Sequence, residues 1–384
     1  MKSSNKANRS RRGTVGGALV GVFALALAAC GGGGGGGSKA ASTTVDLGGA
    51  PPVAGEVKAG ALKGKTLTFV SYGGIYQDGQ AKAAVEPFGV VSGAKILEDG
   101  PTDNAKLRAQ VESKNVTWDV VDTTNVFAAG QCGKLFQPLD TSIVDTSKIP
   151  KALLADKCSV PAMSFGLIVM YNKKKFGANP PTTWADFYDT AKYPGKRGIE
   201  GQSSDVDPGV LEGALLADGV APSAMYPLDA TRAIKKMDSI RKDSVFWSTG
   251  AQAQQLLESG QVDMAMLWSG RAYSAVKNGA PYAPMWNQWM PAADAIVVPM
   301  NAPNAKVSMA LLNYYVGAKQ QAKLTELTSY SPINIDSKPK LTPLATSFLT
   351  TTPERAKDAF PIDFGWWATN HDAMVTAYTK YLAG

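Results

Sequence analysis

Short apolar runs alternate with amphipathic stretches along most of this 384-residue chain. "KTLTFVSY" (65–72), "AKILE" (94–98), "WDVVDTT" (118–124), "SFGLIVMYN" (164–172), "VDMAMLW" (262–268) and "DAIVVP" (294–299) are rich in β-branched and aromatic residues, and each predicts a strand. Between them the spacing predicts a helix over roughly 75–91, which Pro87 should bend or interrupt. "NAKLRAQVESKN", "DATRAIKKMDSIRKD" and "AQAQQLLESG" predict further helices, and a last one covers 367–382. Strand and helix in alternation imply an α/β fold with parallel sheet and crossover helices. The interior holds no internal repeat and no membrane span.

The first 60 residues break this rhythm. Lys2, Lys6, Arg9, Arg11 and Arg12 form a basic leader before an apolar run, Gly13 to Ala29, which is the layout of an export signal. The run closes on Leu27-Ala28-Ala29-Cys30, which resembles a bacterial lipobox and implies cleavage before Cys30 with lipid on its thiol. An ordinary secretory signal or a spanning helix with a chance cysteine are the alternatives, although the run is shorter than the ~20 apolar residues a span needs. Arg11-Arg12 also leaves twin-arginine export open. The seven glycines 31–37 and the Ala/Ser/Thr/Gly/Pro stretch up to 60 read as a flexible tether.

Removing the leader changes the charge. Residues 1–29 hold five of the 39 basic residues and none of the 32 acidic ones, so 34 basic against 32 acidic residues remain, a net of +2. A nucleic-acid partner, which calls for a basic stripe on the folded part, is therefore not expected. Export would put the other two cysteines, Cys132 and Cys158, in an oxidising compartment, where such a pair usually bridges; two separately buried thiols are the alternative. His371 is the only histidine, which leaves little for a zinc enzyme or a Ser-His-Asp hydrolase. It reads as a surface residue of the last helix. "GALKGKT" (60–66) has three residues between its glycines where a phosphate loop needs four, and no GxSxG, HExxH or CxxC occurs. No metal or cofactor is expected, and an exported enzyme is the weaker alternative.

The order of "TLTFVSYGGIYQDGQAKAAVEPF", "WDVVDTTNV", "GLIVMYNKKKFGANPPTTWADFYDTAKYPGKRGI", "MYPLDATRAIKKMDSI", "GQVDMAMLWSGRAY", "DAIVVPMNAPN" and "YSPIN" resembles extracellular solute-binding proteins of ABC importers, nearest the spermidine/putrescine-binding branch. The likeness runs over nearly all of 62–345. It implies a two-lobed periplasmic-binding-protein fold of type II with the ligand in the cleft between the lobes. By this resemblance 1–29 is the lipoprotein signal and 30–60 the lipidated cysteine and tether, with 61–165 plus 296–330 as one lobe and 166–295 plus 331–384 as the other. The crossings between lobes fall near 161–167 and 295–304. It also implies a monomer anchored to the membrane, and an ABC permease with its ATPase as partners.

Ligands of open α/β sheets bind beyond the carboxyl ends of strands, so the residues there are the ones to inspect. Tyr72 precedes Gly73-Gly74 at the end of the first strand, where the family carries a ligand aromatic; a tight turn without ligand is the plain alternative. Asp122 and Thr123 follow "WDVV" and serve equally as a helix N-cap. Trp268 matches a family position whose aromatic packs on the ligand, and an indole face attracts an ammonium group. Arg271 opens a helix, where a guanidinium suits a carboxylate or an inter-lobe ion pair. Asp294 matches the family's amine-pairing acid, and Trp247 is a further aromatic candidate.

Departures from the polyamine pattern narrow the ligand. Near the point where those receptors carry a second acidic pair, this chain has Gln202, Ser203 and Ser204, and Ala292 stands where an aromatic is expected. Arg271 is unhelpful to a polycation. A small amine or an ω-amino acid such as 4-aminobutyrate fits better, with Asp294 on the ammonium, Arg271 on the carboxylate, and Tyr72 and Trp268 around the carbons. A sugar receptor and a ferric-iron receptor using Tyr314-Tyr315 remain alternatives of the same fold.

Overall fold

Alternating burial marks where the strands lie. In the computed structural model, which describes Leu47 and residues 51–384 apart from 155 and 204, "TLTFV" forms β1 (Thr66–Val70) with Leu67, Phe69 and Val70 fully buried. β2 (Lys95–Asp99) and β3 (Val120–Thr124) flank it in parallel. β4 (Ser159–Asn172), β5 (Arg197–Glu200), β6 (Ser244–Trp247), β7 (Met264–Trp268) and β8 (Tyr282–Val297) follow. All eight join one sheet in the order β2-β1-β3-β8-β4-β7-β5-β6. The export signal, Cys30 and the glycine tether fall outside the described residues.

Each end of the sheet is parallel and its middle is not. β1 pairs in parallel with β2 and β3, and β5 with β6 and β7, whereas β4 and β8 run antiparallel to each other and to their neighbours. β4 and β8 are 14 and 16 residues long, against four or five for the rest, so these two strands link the two parallel ends. "DAIVVP" is thus only the last part of a strand that begins at Tyr282. Its first part, "YAPMWNQWMP", hides from pattern reading because two prolines and mixed polarity break the alternation.

The expected 75–91 helix is interrupted as the sequence suggests. It divides into Gly74–Gln80, a wide π turn over Ala81–Val85, and Glu86–Ser92 with Pro87 in its first turn. Proline lacks the N–H that an α turn would need and crowds the carbonyl four residues before it, so the chain widens there. Separate cores form on the two sides: Phe69, Val85, Phe88 and Leu312 around β1, and Trp184, Phe187, Leu211 and Trp367 around β5 and β7. Among the described residues no helix is long and apolar enough to cross a membrane.

Cys132, which ends the Asn125–Gln131 helix after β3, is bridged to Cys158, one residue before β4, with Cα atoms 5.5 Å apart. The bridge closes the loop between the two strands that flank β8. Replacing both cysteines by serine is expected to lower the unfolding free energy by about 2–4 kcal/mol. Denaturant titration checks this, and an unchanged midpoint contradicts it.

Candidate functional site

Register brings the first group of acids together. Thr124 on β3 lies opposite Asp294 on β8, and Asp122 opposite Ile296, so Asp122, Thr124 and Asp294 project from the same face of the sheet. From the other side β7 ends at Trp268, and the Ser269–Lys277 helix starts at once with Arg271 in its first turn. β5 ends at Glu200, and the segment after it carries Asp205 and Asp207. These groups meet around a tight cavity lined by Tyr72, Asp205, Asp207, Trp268, Arg271 and Asp294.

Four of the expected residues, Tyr72, Trp268, Arg271 and Asp294, face this cavity, while Asp122, Thr123 and Trp247 stand behind it. Asp122 is fully buried; its Oδ2 accepts hydrogen bonds from Tyr76 Oη (2.8 Å), Gln80 Nε2 (2.5 Å) and Ser71 Oγ (3.3 Å). Trp247 packs edge-on against Trp268 with centroids 5.2 Å apart and donates its indole N–H to the Met266 carbonyl (3.1 Å). It therefore supports the site aromatic rather than reaching the space in front. Tyr314 and Tyr315 do not line the cavity either: Tyr314 packs on Phe88, and the Tyr315 hydroxyl accepts from Gln80 Nε2 (3.0 Å).

Aromatic rings make up much of the wall. Tyr76 meets Tyr330 edge-on at 5.2 Å, Phe165 meets Tyr330 at 5.9 Å and Trp268 at 6.3 Å, and Tyr72 tilts by 53° against Trp268 at 6.4 Å. The Trp268 indole N–H donates to Asp207. Tyr76, Phe165 and Tyr330 are not evident as site residues from sequence, because they sit inside a helix, inside a long strand and on an irregular segment rather than at strand ends. Gln202, Ser203 and Ser204 are neutral as read, but Asp205 and Asp207 just beyond them supply acids to this side of the cavity, which the sequence reading leaves out. A four-residue strand, β5, is too short to announce itself by alternation.

Arg271 is buried (2 % exposed) between two glycines that leave room for it. A Cβ on Gly74, whose φ is +58°, would lie 3.1 Å from Nη1, and one on Gly250 would lie 2.6 Å from Nε. Nη2 donates to the Gly73 carbonyl at 3.0 Å and Nε has no partner. Among the described residues Arg271 forms no ion pair, and the helix it opens has no side-chain cap and no acid in its first turn.

The acids are crowded in the opposite sense. Burial, and then the charges of Asp122, Asp207 and Asp205, push Asp294 well above the usual carboxylate range. Burial raises Asp122 to about 7, and burial followed by the Asp205 charge raises Asp207 to about 7. Glu200, behind the wall, is raised by burial and then by Asp207 and Asp205. His371, expected at the surface, is buried and bonds Asp205 through Nε2 at 2.7 Å. Its helix is amphipathic, and the histidine falls on the inward face beside Trp367.

Unfolded carboxyls titrate near 4, so between about pH 4 and 7 the folded protein holds more protons than the unfolded chain and stability falls as pH rises. Burial lowers His371, but Asp205 and then Asp372 outweigh it and leave it raised. Its contribution is complete below about 6.5 and is lost above, which has the same sign. The melting temperature without ligand is therefore expected to drop from pH 5.5 to pH 8, and Asp207→Asn should flatten the drop. A melting temperature that climbs over that interval contradicts this.

With this geometry in hand, likeness to known proteins becomes informative. The family model described as bacterial extracellular solute-binding protein matches residues 94–356. The gamma-aminobutyric acid-binding protein of Pseudomonas aeruginosa is 26 % identical over 333 residues, spanning 85 % of this chain and 93 % of that one. The spermidine/putrescine-binding periplasmic protein of Escherichia coli K12 is 22 % identical over 77 % of this chain and 86 % of its own. Among solved structures, a GABA receptor is 36 % identical with TM-score 0.75, covering 83 % of this chain and 98 % of that one. The periplasmic binding protein AgtB of Agrobacterium tumefaciens R10, solved with agropinic acid, is 33 % identical with TM-score 0.75, covering 84 % and 99 %. The fold is accordingly the two-lobed α/β architecture of periplasmic binding proteins, and the chain belongs to the bacterial extracellular solute-binding proteins that serve ABC importers.

Proposed function

We propose that this receptor binds a small molecule carrying both an ammonium and a carboxylate group, with 4-aminobutyrate the best match, and delivers it to an ABC permease. The observation that carries the reading is a buried, unpaired guanidinium, Arg271, sharing one cavity with Asp205, Asp207 and Asp294. Asp207 and Asp294 call for a cation, because desolvated charge is costly unless paired, whereas Asp205 already meets His371. Arg271 calls for an anion at the other end, and a guanidinium holds a carboxylate with charge-assisted bonds. The ammonium goes to Asp294 and Asp207, the carboxylate to Arg271, and the carbons lie against Tyr72, Phe165 and Trp268. The names of the Pseudomonas relative and of the solved GABA receptor support the same ligand class. A diamine would leave Arg271 unmatched, and a sugar would leave the acids so.

The sequence supports the rest of the proposal. Export by residues 1–29 and lipid on Cys30 would hold a single receptor copy on its glycine tether at the membrane. The lobes, 61–165 plus 296–330 and 166–295 plus 331–384, would close on the ligand by bending where β4 and β8 cross. The neighbouring receptors give no support to catalysis.

Arg271→Ala is expected to weaken 4-aminobutyrate about 10- to 100-fold, since hydrogen bonds to charged groups contribute about 1.5–3 kcal/mol, while any binding of putrescine stays the same or improves. Calorimetric titration of both ligands checks this. Equal loss for both, or loss for putrescine alone, contradicts the assignment.

A further inference from the structure

Asp205 lines the cavity, yet both of its oxygens are already engaged. Oδ2 accepts from Asn104 Nδ2 at 3.1 Å and Oδ1 meets His371 Nε2 at 2.7 Å. Asn104 in turn accepts from Thr123 Oγ1 at 2.9 Å. All four side chains are buried, at 7 % exposure or less. Thr123 belongs to β3 and Asn104 opens the Asn104–Glu112 helix that follows β2, whereas Asp205 follows β5 at the far end of the sheet. Asp205 is thus tied directly to the opposite wall of the cleft. His371 lies on the Phe364–Ala383 helix, which packs so closely on the Asn125–Gln131 helix that a Cβ on Gly130 would come within 2.5 Å of the Ala368 carbonyl oxygen.

We propose that Asn104, Asp205 and His371 form a clasp across the cleft that holds it shut over a bound ligand, so that Asp205 is a positioning residue and contact with the ammonium falls to Asp207 and Asp294. The surroundings of His371 suit a charged partner for Asp205. Asp372 stands 3.6 Å from Nδ1 and is itself 3.4 Å from Arg108 Nη2, which links the Asn104–Glu112 helix to the last helix as well. Phe127 and Trp367 pack on the imidazole ring, Lys134 lines the groove beside it, and the Asp207 charge acts from the cavity side. An open cleft would separate Asn104 from Asp205, exposing a buried amide and a buried carboxylate that satisfy each other in the closed one. Closure therefore gains from a bond that makes no contact with the ligand.

The clasp depends on the proposed ligand only through the probe used to test it. Because the chain has a single histidine, imidazole NMR signals report His371 alone. In the native protein, saturating 4-aminobutyrate should shift the His371 titration upward, as closure fixes Asp205 against it. In Asn104→Ala the shift should vanish, release of 4-aminobutyrate should quicken at least about tenfold, and association should change less than about threefold, the pattern of a contact made after encounter. An unaltered release rate with an unaltered ligand-induced shift overturns the clasp. Should 4-aminobutyrate change neither melting temperature nor imidazole titration of the native protein, the ligand assignment fails and small-angle scattering decides the clasp. Asn104→Asp sets two carboxylates face to face and must then enlarge the radius of gyration relative to the native chain; equal radii overturn the clasp.

Discussion

Carboxylates held in an apolar cleft are the constraint on which the rest of this molecule turns. Asp205, Asp207 and Asp294 face one small cavity walled by aromatic rings, with Asp122 and Glu200 close behind. Lost hydration at Asp122, and lost hydration with neighbouring negative charge at Asp207, Asp294 and Glu200, keep protons on groups that in water would be ionised. A fold dominated by apolar packing tolerates such a cluster when it answers to something that arrives. An ammonium group answers it, and the lone guanidinium of Arg271 fixes which way round the arriving molecule lies.

The sheet makes this possible by joining two parallel ends through antiparallel β4 and β8. Parallel strands place their carboxyl ends, and the loops after them, on one edge. The two ends therefore offer Tyr72 and the first turn after β1 from one side, and Trp268, Arg271 and Asp207 from the other. Antiparallel β8 carries Asp294 between them, opposite Thr124. The glycines at 74 and 250 matter because the Arg271 side chain occupies the space their Cβ atoms would take.

Much of this was legible in the chain. The strand ends in "TLTFVSYGG" and "VDMAMLW" pointed to Tyr72, Trp268 and Arg271, and the family resemblance pointed to Asp294; all four face the cavity. The acids after β5 were not legible, since a strand of four residues gives no period and the neutral Gln202 and Ser203 come first. Trp247 is a further aromatic candidate in the sequence, and only its packing against Trp268 separates the ring that faces the cavity from the ring that backs it. His371 was misread for a related reason, as one polar residue on a helix does not reveal which face a distant aspartate will meet.

An arriving ammonium group should ionise the acids of the cleft. Calorimetric titration with 4-aminobutyrate near pH 5.5, below the range in which His371 titrates, repeated in buffers of different ionisation enthalpy, measures this directly through the protons exchanged on binding. Binding is expected with net release of protons to the buffer. Binding with no proton exchange, or with net uptake, would contradict it.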